Sequence, residues 1–367
     1  MTPPPMRHVL FLDLVRGIAA QAVLVGHAVV IGFPALIGLD NFFYIQSWAV
    51  VVFLALSGYL IAGSVRRKHV AGTFTLAGYV KDRFARIFVP LAPLVPIVVI
   101  GDRMFLGDPP ASNYVSNIND GPWAIASNLI MLQDNWVMQV VDRVFNSDLS
   151  RRSLGSAAPW WTVALEWWVY LAFGCLFAVI LAKTRLSLLS TAVGLFALVS
   201  VIGTTLSGNM LIGSWIVGAL LGWSVPQLSS RAWRLIALGA SAITVGFLIL
   251  DPGSVYRFPV VAGTSIAILA AYRASAWTVL GPAQRPIKFV ADYSYSLYLI
   301  HFSVLVWVAA LLPDLRGAWF VVIGVVVGNG IAILCWLAFE RHFPTIRSKM
   351  DRRAFGPGKV PSRASGS

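Results

Sequence analysis

Runs of close to twenty apolar residues recur along this chain, each long enough to cross the hydrocarbon core of a bilayer as one helix. Hydrophobic residues make up 58% of the 367 and charged residues only 12%, with a mean hydropathy of +0.77. A soluble globule of that length needs more polar surface, so the expected class is an all-α polytopic membrane protein. The apolar periods place about ten transmembrane helices, at roughly 9–31, 42–64, 87–106, 160–182, 187–205, 209–225, 232–250, 258–273, 287–312 and 317–340.

Charge sets the expected orientation. With both termini on the cytoplasmic side, all but seven of the 28 lysines and arginines fall inside. Six lie outside (Arg103, Arg143, Arg151, Arg152, Arg257 and Arg316) and Arg16 lies within a span, a bias that marks cytoplasmic loops. The net charge of +13 therefore comes from short basic clusters between apolar segments, and points to membrane lipid rather than nucleic acid. The expected location is the inner (plasma) membrane, with multiple crossings. Cys175 and Cys335 both sit inside apolar runs, which excludes a disulfide framework and a Cys-rich metal site. No His or carboxylate spacing resembles a zinc or di-metal site. The MTPPPMRHVL start is too short before a charged spanning helix to be a cleaved signal peptide.

Residues 1–345 read as one integral membrane domain and 346–367 as a basic, Gly/Pro/Ser-rich tail, expected to be disordered and near anionic lipid. Two features break the pattern of short loops. The outer stretch from about Gly107 to Ala158 is long enough to hold acceptor recognition or to form an ordered lid. Within it, Trp123 to Leu132 is too short to span and reads as an interfacial or re-entrant helix. No internal repeat is visible, which weighs against transporter folds built from duplicated halves.

The first span, FLDLVRGIAAQAVLVGHAVV, carries Asp13, Arg16 and His27 at a depth where ionisable groups are costly and count as functional candidates. Arg16 and His27 are separated by eleven positions, which puts them within roughly 20° of one helix face and about 16 Å apart along the axis. Asp13 stands one turn before Arg16, close enough to pair with it. A fixed cation and a titratable imidazole thus look into one cleft.

LDLVRGIAA followed by His27 resembles the first-helix signature of the acyltransferase family 3 membrane proteins. The likeness continues in FLALSGYLI (Phe53 to Ile61), KDRFARIFVP (Lys81 to Pro90), WTVALEWWVYL (Trp161 to Leu171) and SYSLYLIHF (Ser294 to Phe302), in the family's order and spacing. It covers about residues 8–345 and resembles the stand-alone form. It departs after Glu166, where the family often has a second acidic residue and a Gln and this chain has Trp167 and Trp168. The resemblance implies transfer of an acyl group, usually acetyl from acetyl-CoA, to a hydroxyl of a carbohydrate or glycolipid, hence O-acetylation of a polysaccharide or related acceptor.

The residues suit that chemistry. CoA is polyanionic, and Arg83 and Arg86 stand one turn apart at the basic end of the third span, where planar guanidinium groups match phosphate. Ser57 and Gly58 permit the close backbone approach that a narrow arm-binding cleft, or tight helix packing, requires. His27 suits a general base, its ordinary pKa lying near working pH. Glu166 can orient His27 or hydrogen-bond the acceptor. Asp13, Trp161, Tyr170 and His301 are the remaining candidate substrate contacts, with the tryptophans also fitting an interfacial belt and His301 fitting helix-to-helix bonding. Glu340 is expected to pair locally at the end of the last span. The competing reading is a secondary transporter or flippase for a glycan or small anionic solute, which would also bury Arg, Asp and His.

Overall fold

The computed structural model describes residues 6–34, 45–107, 119–224, 228–250, 255–274, 283–343 and 345–346. The tail beyond 346 lies outside the described residues, as does 108–118 of the outer stretch. Among the described residues the secondary structure is helical, without strands. The chain runs α1 (Met6–Gly32), α2 (Ile45–Val70), α3 (Leu76–Leu91), α4 (Leu94–Phe105), α5 (Pro122–Leu129), α6 (Trp136–Phe145), α7 (Trp160–Ile180), α8 (Leu188–Leu206) and α9 (Leu211–Trp223). It continues through α10 (Ser230–Leu250), α11 (Phe258–Ala274), α12 (Gln284–Asp292), α13 (Ser294–Leu311) and α14 (Gly317–Ala338), and ends in a 3₁₀ turn, Glu340–His342.

Eight helical segments are long and apolar enough to cross a membrane, and Leu211–Trp223 and Phe258–Ala274 are shorter apolar helices, so the expected count of about ten is approximate. Two boundaries differ from the sequence reading. The third span begins at Leu76, not near residue 87, because Thr75 caps α3 by accepting a hydrogen bond from the Gly78 amide at 3.2 Å. It then breaks where Pro93, which has no amide proton to give, starts α4. Arg83 and Arg86 are therefore half-buried within α3 and not at the start of the span. The span read as 287–312 is likewise two helices, α12 and α13, meeting at Tyr293.

In lipid the hydrophobic effect does not drive helices together, so close backbone packing and polar contacts must do it. The α2–α9 seam shows this plainly. A Cβ added at Gly58 would come within 2.1 Å of the Trp215 carbonyl oxygen, one at Gly218 within 2.1 Å of the Ala55 oxygen, and one at Gly222 within 2.2 Å of the Tyr59 oxygen. The room left by Gly58 is thus taken by α9 rather than by an open cleft. Helix α13 is buried along most of its length, with α1, α4 and α14 packed on it. Helices α8 and α10 bury only a few residues each and form the periphery.

The outer stretch caps the end of the bundle opposite the basic loops. Asp102 near the end of α4, 1% exposed, accepts hydrogen bonds from the Ser156 amide (2.8 Å), the Ser156 hydroxyl (2.5 Å) and the Trp307 indole of α13 (2.7 Å). Gly155, at φ +46°, leaves room for that carboxylate: a Cβ there would lie 2.0 Å from Asp102 Oδ2. The segment expected as an interfacial helix folds as α5, whose Asn128 is buried and accepts the Leu154 amide at 3.1 Å. Helix α6 buries none of its side chains.

Candidate active site

Three guanidinium groups gather toward the basic end. Arg16 on α1 pairs with Asp13 at 3.1 Å, so the expected ion pair forms, while its Nε is buried without a partner among the described residues. Arg86 on α3 reaches Glu340 at 3.3 Å and lies 5.2 Å from the Tyr295 ring centroid. Arg83 lies 5.9 Å from the Tyr79 ring and 6.0 Å from the Tyr170 ring, its Nε also buried and unpartnered. Arg16 feels the charges of Arg86 and Glu340, so the α1 and α3 cations share one electrostatic neighbourhood.

Glu340 departs from expectation. Instead of pairing locally it closes on residues far away in sequence: one carboxylate oxygen takes Arg86 and the other accepts the Ser296 amide (3.0 Å) and hydroxyl (2.7 Å). Ser296 is in the first turn of α13, which has no side-chain cap of its own at Tyr293. Glu340 therefore satisfies an orphan amide and places negative charge against the positive end of the α13 dipole.

A second group lies between α2 and α7. The Tyr170 hydroxyl donates to Glu166 Oε1, and the Ser57 hydroxyl is 2.7 Å from the Tyr170 oxygen. Tyr170 has one hydroxyl proton, so Ser57 must donate to it. Arg83 and Arg86 both exert a favourable charge interaction on Glu166. The described hydrogen bonds of Glu166 go to this cluster and not to His27.

The third group is imidazole. The rings of His27 and His301 have centroids 5.3 Å apart, and the Phe302 ring meets His27 edge-on at 4.9 Å. His27 makes no hydrogen bond among the described residues. Between these groups runs α13, where Tyr295, Tyr298 and His301 recur every third residue along one side of the helix. Tyr295 meets Arg86, Tyr298 bonds Thr162 of α7 and touches Phe53 of α2 at 5.6 Å, and His301 meets His27. A continuous polar and aromatic stripe thus connects the guanidinium cluster to the imidazole pair.

A family model described as an acyltransferase domain, Acyl_transf_3, matches residues 9–337. The chain belongs to the acyltransferase 3 family. No curated protein and no solved structure matched it in the corresponding searches. It is accordingly a multi-pass membrane acyltransferase, and the family match takes in every helix that carries the residues above except the 3₁₀ turn with Glu340.

In this acyltransferase the structure brings Arg16 within electrostatic reach of Arg86, and Glu166 within reach of Arg83 and Arg86, and sets Ser57 and Tyr170 beside Glu166. It places His27 with His301 farther along α13. Asp13 is engaged with Arg16. Trp161 is apart: its ring lies 6.5 Å from Tyr256, and a five-residue offset turns it about 140° from Glu166 around α7. A cavity of about 490 Å³ opens on the α1 face of Leu14, Ile18 and Val25, against Pro286 and Val290; its lining is apolar apart from Gln21 and contains neither Arg16 nor His27. Sequence reasoning missed Glu340 and Tyr295. The three-residue spacing from Tyr295 to His301 was a readable signal; the reach of Glu340 across the fold was not.

Proposed function

We propose that this acyltransferase moves an acyl group, in the simplest case acetyl, from cytoplasmic acyl-CoA to a hydroxyl of a carbohydrate or glycolipid at the outer side of the membrane. His27 is the general base. The observation that carries this reading is the α13 stripe, with cations at one end and, at the other, the His27 imidazole, which has no hydrogen bond among the described residues. Arg83 and Arg86, with Arg16 beside them, take the phosphates through charge-assisted bonds. The pantetheine arm then lies along Tyr295 and Tyr298, past Ser57, Tyr170 and Glu166, and brings the thioester to His27. The acceptor oxygen bonds to the thioester carbonyl carbon while His27 takes the hydroxyl proton; the C–S bond breaks and the thiolate recovers that proton. His301 and Trp161 lie on the side from which the acceptor arrives, and Asp13 holds Arg16 in place.

The test supplies labelled acetyl-CoA to membranes containing the wild type or His27→Ala. Label in a glycan or lipid fraction should appear with the wild type and fall at least 100-fold with the variant, the range of a lost general base. Equal labelling by both overturns the role of His27. Arg83→Ala should raise the apparent KM for the donor about tenfold, about 1.4 kcal/mol, with a smaller change in kcat. An unchanged KM removes the phosphate assignment.

A further inference from the structure

His301 has a chemistry that the foregoing does not use. It is fully buried, and its Nδ1 lies 2.8 Å from the Tyr298 carbonyl oxygen and 3.1 Å from that of Leu297. Carbonyl oxygens only accept, so Nδ1 carries the ring proton and Nε2 a lone pair. That Nε2 is buried with no partner among the described residues. A buried acceptor left unmatched is costly, so a donor is missing at this atom. The neighbouring ring is His27, and Phe302 closes on both rings, at 4.9 Å from His27 and 6.4 Å from His301. Two imidazoles joined edge to edge by an N–H···N bond would have centroids roughly 5 Å apart. The observed spacing is 5.3 Å, with the ring planes inclined by 31°.

We propose that His301 is a positioning residue for His27: in the working enzyme the two rings turn so that its Nε2, without a partner in the resting arrangement, accepts the ring N–H of His27, which leaves the other His27 nitrogen bare and aimed at the acceptor hydroxyl. This rests on the reading of His27 as the base. The backbone carbonyls of α13 hold the His301 tautomer, and His301 in turn holds that of His27. In the transfer step the hydroxyl proton passes to the bare nitrogen of His27 and from there to the departing thiolate. His301 gains and loses no proton over the cycle; it shares the positive charge that His27 carries for part of it. A carboxylate would orient the base equally well, but it would bring a charge into the membrane interior that a neutral imidazole does not.

The experiment compares wild type, His27→Ala, His301→Ala, His301→Phe and His301→Gln in transfer from labelled acetyl-CoA to the endogenous membrane acceptor, with thermal midpoints of the purified proteins. His301→Phe keeps a ring in the site and should lose at least tenfold in kcat, with donor KM within twofold of wild type. His301→Gln, whose amide oxygen can accept from His27, should recover part of that loss, whereas His301→Ala should not. Wild-type kcat in His301→Phe would reduce the ring contact to packing and overturn the proposal, as would loss of the folded protein in all three His301 variants. If His27→Ala is inactive and His301→Phe is not, only this inference falls; if His27→Ala is fully active, the reading beneath it falls as well.

Discussion

Glu340 shows how much one carboxylate can hold. It neutralises Arg86 and ends the first turn of α13, so losing it exposes two problems at once: a guanidinium without its counter-charge and an uncapped helix start. Arg86 is 36% exposed, which screens the ion pair, so most of the cost lies in the buried bonds to Ser296. Glu340→Ala should destabilise the detergent-solubilised protein by about 1–3 kcal/mol, and Glu340→Gln, which keeps an acceptor for the amide, by less. Thermal unfolding followed by intrinsic fluorescence checks both; an unshifted midpoint in Glu340→Ala would remove the capping role. At this scale the sequence was readable where partners are close in the chain. Asp13 and Arg16 share a helix face, and they pair. Glu340 and Arg86 are 254 positions apart, and no spacing rule relates them.

Helices in this protein are positioned by what is missing from them. At Gly218 the α2 backbone occupies the space a methyl group would need, whereas at Gly239 on α10 nothing lies within 4 Å of the added carbon. Gly218→Ala should push α2 and α9 apart and cost about 1–3 kcal/mol, the range for overpacking. Gly239→Ala should be neutral or slightly stabilising, since alanine is the better helix former by about 1 kcal/mol. Thermal midpoints of the two variants provide the comparison, and equal shifts would show that the seam tolerates a methyl group. The apolar periods found the spans, but not their internal breaks. Pro93 and Tyr293 divide two of them, and in both cases the helix on the basic side carries polar residues that the hydropathy average discounts. Arg83 and Arg86 were thus assigned to the edge of a span when they lie half-buried within α3.

Taken whole, the molecule has two unlike ends. One holds the basic α2–α3 turn; the other is covered by α5, α6 and the segment tied down by Asp102. On the charge bias we propose that the first end is cytoplasmic. A cysteine placed at Thr73, in that turn, should react with a membrane-impermeant maleimide only in inverted vesicles, and one at Asp148, on the exposed outer segment, only in intact cells or right-side-out preparations. Reversal of the two would invert the orientation and with it the side from which a donor arrives. Fold class and family were legible from composition, period and five short blocks, because these are local properties repeated along the chain. The stripe on α13 was legible only in part, because its meaning depends on which helices pack against it. Its anchoring by Glu340 has a consequence for biogenesis. The residue that fastens the start of α13 follows α14 in the chain, so a nascent chain can form α13 and still lack the clasp that sets Tyr295, Tyr298 and His301 in line until α14 has been made.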